Sequence, residues 1–180
     1  MKGIEMTQLT RARRQLYRNL YLYGLPALVI LALLGAAYVL SPWGKESRQE
    51  EVAQRGTQVM PFDLERTTHT FTDLPTGGRE VVVSDDGDAE QIALIRLHLE
   101  KEARRFASGD FSDPARIHGE DMPGLATLKG GAGSIEFRYE ELPDGAAIDY
   151  RTSDPVLVAT LHEWFAGQRG DHGEHAEQVE

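Results

Sequence analysis

Cysteine is absent from the 180 residues, which rules out a disulfide framework and any thiolate metal site. Basic residues are scarce: 19 Lys and Arg stand against 29 Asp and Glu, for a net charge of −10. A phosphate backbone attracts basic surfaces, so this balance excludes nucleic acid as a partner. Nucleophile and phosphate signatures are missing too. There is no glycine-flanked serine elbow and no G-x-x-x-x-G-K loop, and the glycine-rich GLATLKGGAGS ends a helix instead of opening one. Carboxylates are abundant, but no pair stands out as a general acid and base, so the reading leans away from an enzyme. What remains is a chain with 41% apolar residues, enough for a folded domain and too many for disorder throughout.

Charge is also absent between Leu20 and Gly44. GLPALVILALLGAAYVL, with Tyr21, Leu22 and Tyr23 before it, approaches the ~20 residues that a helix needs to cross hydrocarbon. Tyr21, Tyr23 and Trp43 mark its two ends at headgroup level. Residues 20–41 therefore read as a transmembrane helix, and the membrane as a partner. Residues 1–19 are a basic segment with Lys2, Arg11, Arg13, Arg14 and Arg18 against Glu5 alone, which places them in the cytoplasm. The expectation is a single-pass inner (plasma) membrane protein with a periplasmic or extracellular C-terminal domain. A cleaved signal peptide is the competing reading, but the apolar stretch is long and GAAYVLSPW has no clean small-x-small site.

Beyond the span, residues 42–60 read as a juxtamembrane helix or stalk with Gly56 as its stop, and 61–169 as an α+β domain. RTTHTFT and EVVVS suggest a hairpin around LPTGG, and SIEFRYEEL and AAIDYRT a second around Pro143-Asp144-Gly145. After the first hairpin Asp85–Asp88 opens a helix with Ile92, Ile95, Leu99, Ala103 and Phe106 on one face. After the second, Asp154-Pro155 opens another with Leu157, Leu161 and Trp164. FSDPARIHGE reads as a loop, and Asp121 to Lys129 as a short helix. The order repeats: Leu74-Pro75 matches Leu142-Pro143, and Leu97-His98 matches Leu161-His162. Duplicated ββα units predict a four-stranded antiparallel sheet with both long helices on one face. Arg138, Glu140, Asp149 and Arg151 alternate with Phe137, Tyr139, Ile148 and Tyr150, as a sheet with one wet face requires.

Histidine is the residue type that stands out. His98 and His162 occupy matched repeat positions, where two imidazoles can share a metal or a proton; the alternative is two boundary histidines bonded to backbone. His118-Gly119-Glu120-Asp121-Met122 gathers an imidazole, carboxylates and a thioether, donor types suited to copper or zinc, although Asp121 equally reads as a helix cap. The candidate metal ligands are thus His98, His118, His162, Asp121 and Met122. His69 lies on the first strand, directed toward the open side. His172 and His175 fall in a flexible acidic tail, 170–180.

RQEEVAQRGTQVMPFDLERTTHTF, EQIALIRLHLEKEARRFASGDFSDPARIHGEDMPGL and LPDGAAIDYRTSDPVLVATLHEWFAGQRGDHG together resemble a family of small uncharacterised membrane-anchored bacterial proteins, across about residues 48–173. Its members are often filed under an aspartate carbamoyltransferase label. That label implies a Ser-Thr-Arg phosphate motif and two large α/β domains. This chain has no such motif and is too short for two such domains. The functional expectation is a membrane-anchored, non-enzymatic binding module with a transition metal as candidate ligand. The alternative is an accessory or assembly subunit of a membrane complex.

Overall fold

The computed structural model describes residues 22, 25–39, 41–173 and 176–177. The basic segment 1–19, Tyr21, Tyr23 and His175 lie outside the described residues. Two compact units are distinguished, 1–46 and 47–180. In the first, α1 (Leu25–Val39) is apolar all round and leaves Val29, Leu31, Leu33, Leu34 and Tyr38 more than half exposed. Its 15 residues rise ~22 Å at 1.5 Å each. Among the described residues no helix is long and apolar enough to cross a membrane. The flanks of the expected span at 20, 21, 23, 24 and 40 fall outside them.

Helix α2 (Pro42–Gly56) ends at Gly56, the glycine read from the sequence as a stop. Ser41 Oγ accepts from Gly44 N–H at 3.1 Å, and proline fills the first turn, where no N–H is missed.

The second unit is α+β. Strands β1 (Thr67–Leu74) and β2 (Gly77–Ser84) form one hairpin, β3 (Glu136–Leu142) and β4 (Gly145–Arg151) the other. They join through an antiparallel β2–β4 pair into a four-stranded sheet ordered β1-β2-β4-β3. A two-residue strand β5 (Ala176–Glu177) pairs parallel to β1 at its edge. Leu-Pro-x-Gly closes both hairpins, and both glycines are obligatory. A Cβ at Gly77 would stand 1.9 Å from Tyr150 O, and one at Gly145 would stand 1.9 Å from Val82 O, so a side chain at either would force the central strands apart.

Helices α3 (Ala89–Ala107), α4 (Ser112–His118), α5 (Leu125–Gly131) and α6 (Pro155–His172) complete the domain. Asp88 Oδ1 accepts from Glu90 and Gln91 N–H at 3.0 Å to start α3, and Asp154 accepts from Val156 N–H at 2.8 Å to start α6. The period-two alternation holds. Phe137, Tyr150 and Phe71 turn toward Phe106 of α3 and toward Trp164 and Phe165 of α6, and this aromatic cluster is the core. On the other face Arg79 bridges Asp149 and Glu140 at 2.8 and 2.7 Å.

Three expectations need correction. FSDPARIHGE holds helix α4, not a loop. Asp121 does not cap the next helix, because Gly124, in the left-handed region at φ 79°, precedes α5 and the chain needs a second turn first. The last helix runs on to His172, so His172 belongs to packed structure and not to a tail.

Candidate functional site

The two apolar helix faces do not close completely over the sheet. Between α3, α4, the end of α6 and strands β1 and β2 lies a cavity of about 40 Å³, room for roughly three water molecules. Four of the six histidines in the chain line it: His69, His98, His118 and His172. Three carboxylates join them: Glu80, Glu102 and Asp113. Ile148, Phe106, Leu99 and Trp164 supply an apolar floor.

Each polar group is placed by an element whose pattern would otherwise call for an apolar residue. His69 shares the inner face of β1 with Phe71, so it is buried against the helices and does not face the open side as expected. Glu80 is opposite Phe71 on β2. His98 and Glu102 sit one turn apart on the buried face of α3, flanked by Ile95, Leu99 and Phe106. His118 ends α4 and His172 ends α6. The rings stand in a row. His69 stacks on His172 with centroids 5.0 Å apart and planes at 19°, and His172 meets His118 edge-on at 5.2 Å. Phe62 separates His98 from His69, at 5.6 and 6.1 Å.

Desolvation dominates the electrostatics. Burial pushes the Glu80 carboxyl up to about 7, against the opposing hydrogen bond donated by Tyr150 Oη at 2.6 Å. Burial likewise raises Glu102 to about 7, with Arg105 pulling it down and Asp113 pushing it up. His98 falls to about 4, chiefly by burial, with Lys101 and Arg105 adding to the effect. The interior therefore favours neutral groups. Charge is tolerated only where paired: Arg105 donates to Glu102 at 3.0 Å, to Asp110 at 2.9 Å and to Asp113.

A second network holds His118. Its Nδ1 lies 2.9 Å from Asp171 Oδ2, and Asp171 also accepts from Arg48 Nε at 2.9 Å and Nη2 at 2.7 Å. Burial pushes the Asp171 carboxyl up, but the hydrogen bonds from His118 and Arg48 outweigh it and hold it at about 2. An ionised carboxylate only accepts, so His118 carries a proton on Nδ1, and in the neutral ring this tautomer puts the lone pair on Nε2. A carboxylate behind an imidazole in this way is the outer support commonly found for a metal-binding histidine.

The five expected metal ligands are not gathered. His98 and His118 reach the same cavity. His162 does not: its Nε2–H donates to Leu74 O at 3.0 Å and Gly77 O at 2.9 Å, clasping the β1–β2 turn. Met122 is buried with its sulfur accepting from Trp164 Nε1–H at 3.1 Å, and Asp121 is exposed. Among the described residues, no three His, Asp or Glu side chains surround a common metal position. Glu80, Glu102 and Asp113 are lining carboxylates that the sequence reading did not single out, whereas His69 and His172 were considered there and read as a strand residue facing the open side and as part of the tail. The signal for Glu80 and Glu102 was available: each is a charge at a core-face position of its strand or helix period.

No protein-family model, curated protein or solved structure matches the chain.

Proposed function

We propose that this protein is a membrane-tethered, non-enzymatic binding module whose ligand site is the histidine-lined cavity. One observation carries the reading: four of six histidines and three carboxylates converge on a single interior space whose remaining lining is apolar apart from Gln168. Buried polar groups cost stability unless satisfied, and this cavity collects five buried ones, with Glu80 and His172 half-buried beside them, more than packing alone calls for. A first-row transition-metal ion is the ligand class that imidazole and carboxylate donors suit. An ion bound tetrahedrally at 2.0–2.1 Å keeps imidazole centroids about 5 Å apart. The 5.2 Å edge-on step from His172 to His118 is of that size, and His118 already has its carboxylate support, whereas His69 stacks on His172 with planes at 19° and in that pose shares no ion with it. Closing the set requires the His172 ring, half-buried in the last turn of α6, to turn toward its neighbours. Calorimetric titration of the full chain in detergent with Zn²⁺ tests this: one saturable site per chain is expected, and the absence of binding heat would end the metal reading.

The tether is the apolar segment around α1, with residues 45–180 outside the cytoplasm, in keeping with the resemblance to small membrane-anchored bacterial proteins. The accessory-subunit reading finds less support. The sheet face away from the helices is laced with ion pairs, and the edge strand β3 carries Glu136, Arg138, Glu140 and Glu141, which resist strand addition.

The domain also reads as a duplication, with a register different from the one the sequence suggests. Equivalent positions are 68 apart in the hairpins and 66 apart in the helices. The β2–β4 register maps onto itself under the first offset, and Gly77 against Tyr150 O becomes Gly145 against Val82 O. Under the second, cap Asp88 matches Asp154, and buried Ile95, His98, Leu99 and Glu102 match buried Leu161, Trp164, Phe165 and Gln168. His162 then matches Arg96, whose Nε donates to Gly145 O at 3.2 Å and whose Nη2 donates to Leu142 O, the same clasp on the other turn. His98 therefore corresponds to Trp164 and not to His162. One half retains an aromatic floor where the other carries the cavity's polar groups.

A further inference from the structure

The contacts that hold α2 to the domain converge on the two helix ends that carry cavity histidines. Arg55 donates to Ile117 O at 3.2 Å, Gln49 to Gly170 O at 3.0 Å, and Arg48 to His118 O and to both carboxylate oxygens of Asp171. Ile117 and His118 end α4, and Gly170 and Asp171 lead into His172 at the end of α6. A single oxygen, Asp171 Oδ2, accepts from both Arg48 Nη2 at 2.7 Å and His118 Nδ1 at 2.9 Å. The carboxylate that fixes the histidine's tautomer is therefore also the one that fixes the juxtamembrane helix.

We propose that Asp171 is a latch through which α2 reads the occupancy of the cavity; the inference rests on the cavity being a cation site. A cation on Nε2 of His118 draws electron density from the ring and makes Nδ1–H a stronger donor. The ring also gains positive character beside the Arg48 guanidinium. Both effects draw Asp171 toward His118 and weaken its hold on Arg48, whose side chain is 38% exposed and passes readily to water. Val52, 1% exposed, keeps α2 docked, so the change is a local loosening and not detachment.

Hydrogen exchange of the amides of residues 48–56, measured in the full chain in detergent beside Zn²⁺ calorimetry on the same samples, tests the latch. Zn²⁺ should raise exchange there by at least about threefold in the wild-type chain, the loss of one modest hydrogen bond. Asp171→Asn should raise it to a similar level without Zn²⁺, with no further increase on adding the ion. Arg48→Met, at a partly exposed position that leaves the fold intact, should behave likewise. Zn²⁺ binding with unchanged exchange in the wild-type chain overturns the latch and spares the site. Wild-type exchange in both variants overturns it as well. No Zn²⁺ binding removes the site reading and the latch together.

Discussion

Replacing Glu102 by Gln should stabilise the protein at alkaline pH and leave it nearly unchanged in mild acid. Glu102 is buried on α3, and burial holds its carboxyl at about 7 against a usual 4.5. Between those values the folded state binds the proton more tightly than the unfolded chain, so stability falls as pH rises through the window and levels off above it. Each unit of displacement is about 1.4 kcal/mol, which puts the ionised carboxylate at roughly 3 kcal/mol of destabilisation by pH 8 and under about 1 kcal/mol at pH 5. Gln keeps the shape and cannot ionise. It gives up the ion pair with Arg105 at 3.0 Å, but the pull of that guanidinium is already contained in the value of about 7, and the protonated carboxyl at pH 5 makes no such pair. The difference between the two pH values should therefore be about 2 kcal/mol in favour of the variant at pH 8, or several degrees in Tm. His98 works in the opposite sense. Its folded value of about 4 lies below the usual 6.5, so its contribution is full above 6.5 and is lost as pH falls toward 4, equally in both chains. Thermal unfolding of wild-type and Glu102→Gln chains at pH 5 and pH 8 is the assay. A Tm difference that does not change with pH would refute the desolvation argument for this cavity.

Gly77→Ala and Gly145→Ala should each destabilise by about 3 kcal/mol or more, because a Cβ at either site lies 1.9 Å from a backbone oxygen of the central strand pair. Denaturant unfolding should show losses of similar size, and a mild effect at one site alone would contradict the duplicated geometry. A reporter enzyme active only in the cytoplasm, fused after Glu180, should be silent if the +4 charge on residues 1–20 directs the domain outward. Activity there would overturn the orientation.

The sheet was legible in the sequence because its signals are local. Alternation in FRYE and IDYR, the two Leu-Pro-x-Gly turns and the Asp88 and Asp154 caps each decide a short segment, and each holds in the structure. The repeat that we propose differs in helical register from the one the sequence suggests. Leucine-histidine pairs matched by identity, whereas the fold aligns N-caps and buried positions, and that alignment puts Arg96 and not His98 opposite His162. The cavity was half legible. His98 and His118 could be named from residue type, but which imidazoles meet depends on how α4 and the end of α6 pack on β1, a long-range outcome. His162 shows the limit: two turn carbonyls 85 and 88 residues away hold it, and nothing near it in the chain announces them. Glu80 and Glu102 were readable as charges on core faces and were passed over among 28 acidic residues in 45–180.

Zn²⁺ calorimetry on four chains tests the central claim most directly: wild type, His118→Ala, His172→Ala and, as a control outside the cavity, His162→Ala. If the cavity is the ligand site, the wild-type chain and His162→Ala should bind one ion each with similar affinity. Loss of one imidazole ligand should weaken the two cavity variants by at least about tenfold. Equal binding by all four chains, or loss only in His162→Ala, would contradict the account.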